Sequence, residues 1–175
     1  ILADAIHALD WIDELPQAPV RIASIRKCKA LDASFFGVEL EKFLFCDNVY
    51  QGYLETQNHA LLNQMATVLY DSEKISLNQA EKISVFYWWA ALKALFARSF
   101  PTFLQPMPMD SDNLLEYSTA KRLQDAMNAQ IRALTKGDIT KEKEVLSMDC
   151  WRAFTELEAQ AKEYEEINRK YGNNK

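Results

Sequence analysis

The run from Ser76 to Phe103 constrains this chain more than any other stretch. From Ile83 to Leu92 no side chain is charged, and Trp88 and Trp89 stand side by side within it. Two overlapping capping patterns precede it, Ser76 with Gln79 and Asn78 with Glu81, and either would satisfy N–H groups of a first helical turn. Pro101 stops it. The spacing predicts a helix over about 78–100. Trp88, Leu92, Leu95, Phe96 and Ser99 fall on one side of that helix, and Ile83, Tyr87, Ala91 and Ala94 on another. Lys82 and Lys93 lie close together around it, so exposure is expected only on a narrow stripe. A helix apolar on nearly every side has to be covered by neighbours. Each large side chain so covered contributes ~1.5–3 kcal/mol. The expected architecture is therefore all-α, a single-domain bundle of five to seven helices around this central one.

Size and composition agree. A chain of 175 residues suits one domain, spanning 1–175, and 49% apolar residues are enough for a sizeable core. Only four glycines and five prolines are present. A many-turned β sandwich would need more, so long helices joined by few loops are expected.

Along the chain, Leu2, Ile6, Leu9 and Ile12 recur at helical spacing and predict a first amphipathic helix, ended by Leu15 to Pro19. Val20–Leu31 reads as a short second helix with Arg21, Arg26, Lys27 and Lys29 in local succession. Phe35–Gln57 reads as a third, with Leu40, Phe43, Leu44, Tyr50 and Leu54 inward. Asp47 falls on or near that apolar face and is expected to bond a lysine or tyrosine from another helix. Gly52 suits a close helix crossing. Asn58 is the expected N-cap of a helix over Ala60–Tyr70. After the central helix, Phe100 to Met109 is rich in proline yet apolar, and reads first as a loop packed over the bundle, second as a strip shown to a partner. Asp110, Ser111, Asp112 and Asn113 predict the start of a helix reaching Lys136, with Gly137 as its stop. Thr140 is the expected N-cap of a long C-terminal helix to Tyr171. Beyond Ala161 that helix turns polar, so residues 162–175 are expected to protrude, fray or pair with another chain.

The motifs of chemistry are missing. No glycine-rich phosphate loop, Gly-x-Ser-x-Gly or His-Glu-x-x-His occurs. With two histidines, His7 and His59, there is little material for histidine catalysis or for a metal site; Glu55 and His59 lack the further ligands a di-metal bundle needs. Three widely spaced cysteines, Cys28, Cys46 and Cys150, do not form a disulfide framework and suit a reducing compartment. A net charge of −5 is a poor match for nucleic acid or anionic membranes, leaving the basic segment 21–29 as a weak contact at most. No uncharged span long enough for a membrane helix is present. Asp4, Asp10, Asp13 and Glu14 interrupt the first segment, so no signal peptide is expected, and a chain that starts at Ile1 without methionine reads as trimmed.

The block Gly137-Asp138-Ile139-Thr140-Lys141-Glu142, the later Trp151-Arg152-Ala153-Phe154-Thr155-Glu156-Leu157, and Phe86-Tyr87-Trp88-Trp89 together resemble small helical accessory proteins encoded in bacterial phage or prophage clusters, of the kind linked to tail assembly. The resemblance is one of general pattern, covers the central helix and the last third of the chain, and carries over no functional residue. It implies a non-enzymatic protein that binds another protein during particle assembly.

The functional expectation is thus a non-enzymatic, cytoplasmic interaction or assembly module, with no cofactor and with another protein or a second copy as partner. Its candidate contact residues are Phe100, Phe103, Leu104, Met107 and Met109 on the apolar strip, and Tyr164, Ile167 and Tyr171 on the terminal helix. The alternatives are a site for a small apolar ligand around Trp88, Trp89 and Tyr50, and nucleic-acid contact through Arg21 to Lys29.

Overall fold

The computed structural model describes residues 18–105 and 119–171. Among these lie six α-helices and one two-stranded ribbon, in the order β1 (Ser24–Ile25), β2 (Cys28–Lys29), α1 (Leu40–Thr56), α2 (His59–Leu69), α3 (Gln79–Ser99), α4 (Thr119–Thr135), a 3-10 turn (Ile139–Lys141), α5 (Glu142–Leu146) and α6 (Cys150–Tyr171). The fold is all-α in the main, as its composition predicts. The segment Leu2–Ile12, the caps Asp110 to Asn113, and Met107 and Met109 lie outside the described residues.

The central helix forms where its signals place it. The Asn78 side chain accepts from Glu81 N, and the Glu81 carboxylate accepts from Asn78 N, closing a capping box. Val85, Trp88, Trp89, Leu92 and Phe96 then enter the core. The outward stripe differs from the expected one. Lys93 points to α1, where its ammonium donates to Asp47, so the pairing expected of Asp47 is made and draws that lysine inward. The open side of α3 instead shows Ile83 and Tyr87.

The segment Val20–Leu31 is a hairpin rather than a helix. Ser24 pairs with Lys29 and Ile25 with Cys28, and the two turn residues Arg26 and Lys27 both have positive φ, 49° and 69°. Such a turn matches the twist of a two-residue hairpin. Local helix propensity loses here to tertiary ties: Tyr70 donates its hydroxyl to Ile22 O, Arg21 Nε donates to Leu31 O, and the Arg21 guanidinium lies over the Trp88 ring.

Helix α1 starts five residues later than the periodicity predicts. Residues 32–39 form a loop with Phe35 and Gly37 at positive φ, 64° and 72°, and this loop is the keystone of the core. The Trp88 indole donates to Ala33 O, the Trp151 indole to Ser34 O and the Cys150 thiol to Phe35 O. The Phe35 ring stands edge-on to Phe43, Trp88 and Trp89. A left-handed phenylalanine costs about 1–2 kcal/mol, and burial of its ring among three aromatics offsets that cost.

The predicted continuous C-terminal helix is broken. Asp138, not Thr140, caps the 3-10 turn, accepting from Thr140 N. After α5, residues 147–149 are non-helical because they pair with the lead-in to α1: Leu40 N donates to Met148 O and Cys150 N to Val38 O. Asp149 completes the clamp by accepting from Gly37 N and Arg152 N, the second contact capping α6. Two helices distant in sequence thereby start side by side.

Candidate functional site

Phe100 continues the core past α3 and is buried. Its ring contacts Phe96, Trp151 and Phe154. Phe103 and Leu104 are half-buried against the same cluster. Their backbone is held by Glu158 on α6, whose carboxylate accepts from Phe103 N at 2.8 Å and Thr102 N at 3.1 Å. Lys162, one turn on, reaches that carboxylate at 3.0 Å. Burial works to raise the Glu158 carboxyl pKa, but the donors from Phe103, Lys162 and Thr102 outweigh it and hold the group below its ordinary range. Residues 100–104 are thus a packed loop, the first of the two readings of this strip. Phe100, Phe103 and Leu104 are spent on the fold, and Met107 and Met109 lie outside the described residues.

Glu158 was not singled out in the sequence. It looks there like one more surface acid on a polar helix, although its spacing from Leu157 and Phe154 places it at the edge of the buried face.

The other candidate residues stand apart from the core. From Lys162 to Tyr171 every residue of α6 is exposed. This portion extends the helix by about 15 Å at 1.5 Å per residue. Along it Tyr164, Ile167 and Tyr171 are 67%, 54% and 74% exposed and fall on one side at steps of three and four. Lys162–Glu158 and Lys170–Glu166 are ion pairs one turn apart that support the projecting helix.

The tryptophans of the alternative ligand site are sealed: Trp88 and Trp89 are 1% and 0% exposed, packed by Phe35, Phe43 and Tyr70. Among the described residues, Trp89 Nε1 and Gln130 Oε1 are buried without a hydrogen-bond partner. Gln130 borders a small concavity of about 90 Å³ with Asp47, Lys93, Phe96 and Met127. In the basic segment, Arg21 is committed to Leu31 O and the Trp88 face, and Arg26 to Glu81 at 3.8 Å, leaving Lys27 and Lys29 on the outside. Glu39, Glu41, Asp71 and Glu73 border an open groove between α1 and the end of α2, with Glu39 paired to Lys42.

His59 lies beside the Tyr53 ring. Among the described residues no three His, Cys, Asp or Glu side chains gather as a metal-ligand set, and no helix is long and apolar enough to cross a membrane. The buried thiols of Cys46 and Cys150 are pushed up in pKa, first by burial and then by Asp47 and Asp149 respectively, Cys150 to about 12. Neither is a ready nucleophile. No protein-family model matches the chain, and no curated protein or solved structure matches it.

Proposed function

We propose that this chain is a non-enzymatic interaction module that acts through the projecting end of α6. One observation carries the reading: a helix continues for about three turns beyond the core while presenting Tyr164, Ile167 and Tyr171 to solvent. Isolated helical turns of this length are marginal in water. Tyrosine and isoleucine left outward on one stripe gain burial only when another surface covers them. The resemblance noted in the sequence would make that partner one met during particle assembly.

Truncation after Ala161 and the triple change Tyr164→Ala, Ile167→Ala, Tyr171→Ala test this. Both proteins are expected to stay folded, with stability within about 1 kcal/mol of the full chain, because the described residues they lose are exposed, and Lys162, which pairs with the buried Glu158, is itself 60% exposed. Affinity capture from source-cell lysate with quantitative mass spectrometry should enrich a partner on the full chain and lose it on both variants. Identical captured sets, or unfolding on truncation, refute the reading.

A further inference from the structure

We draw no further inference here: the strongest candidate, the open groove between α1 and the end of α2 where Glu39, Glu41, Asp71 and Glu73 border the exposed Phe45, joins an acidic cluster to an unpartnered apolar face, and nothing in the structure shows what covers it.

Discussion

Removing the carboxylate of Glu158 tests how the loop after α3 is held. That side chain is 6% exposed and receives Phe103 N and Thr102 N. Hydrogen bonds to a charged group contribute about 1.5–3 kcal/mol each. The loop lies at the surface, so water replaces part of what Glu158→Ala removes, and the expected cost is about 2–4 kcal/mol. For a domain of this size that lowers Tm by roughly 4–16 °C. Glu158→Gln keeps one acceptor oxygen and loses the charge, so it should cost about half as much. Lys162→Ala should cost less than about 1 kcal/mol, because Lys162 is 60% exposed and its ion pair is screened. Urea denaturation across pH completes the assay. A carboxyl held below its ordinary range contributes stability that is fully present above that range and is lost as pH falls through the lowered native value. Wild type should lose that increment in acid, and Glu158→Gln should lack this part of the acid limb. A change under about 0.5 kcal/mol in Glu158→Ala, or a Lys162→Ala cost equal to it, would show that the carboxylate does not anchor the loop.

Further consequences concern the core and the hairpin. Trp88 donates its indole N–H to Ala33 O, whereas Trp89 Nε1 has no partner among the described residues, so Trp88→Phe should cost about 1 kcal/mol more than Trp89→Phe in urea titrations; the reverse order would contradict this account. Ellman's reagent at pH 8 should label one thiol, Cys28, quickly in the native chain and all three in urea, since Cys46 and Cys150 are buried. The same two thiols stay protonated in the fold while those of the unfolded chain ionise, so stability should fall as pH rises above their ordinary value near 9. Replacing Arg26-Lys27 by Asn-Gly should raise stability by about 1 kcal/mol, because both residues hold positive φ and the Arg26–Glu81 pair lost with them is half-exposed. A loss of stability would mean that the arginine does more than close the turn.

The interaction reading and the stability reading divide α6 between them. Up to Ala161 its residues serve the core: Trp151, Phe154 and Leu157 pack, Asp149 caps and Glu158 anchors. From Lys162 to Tyr171 every residue is exposed, Tyr164 and Tyr171 among them. That boundary is what makes truncation after Ala161 informative, since it removes the exposed residues proposed for partner binding and leaves those that pack the core.

Much of this was legible in the chain itself. The run of uncharged residues from Ile83 to Leu92 requires a covered helix, and Asn78, Glu81 and Pro101 bound it, because caps and proline act through neighbouring backbone groups. Asn58 starts α2 for the same local reason. The polar turn in composition after Ala161 marks where burial ends, and with it the three candidate contacts Tyr164, Ile167 and Tyr171. What the tertiary structure decided is every feature in which a distant group overrules local preference. Residues 20–31 have helical spacing but fold as a hairpin because Tyr70 and Trp88 hold Ile22 and Arg21. Phe35 adopts positive φ because aromatic rings from α1 and α3 enclose it. The predicted long terminal helix breaks before Cys150 because residues 148–150 bond to residues 38–40. Phe100 and Phe103 look available for a partner until Glu158, more than fifty residues away, ties their loop to the core. Periodicity reports which side of a helix is apolar; only the packed fold determines which of those sides remains uncovered.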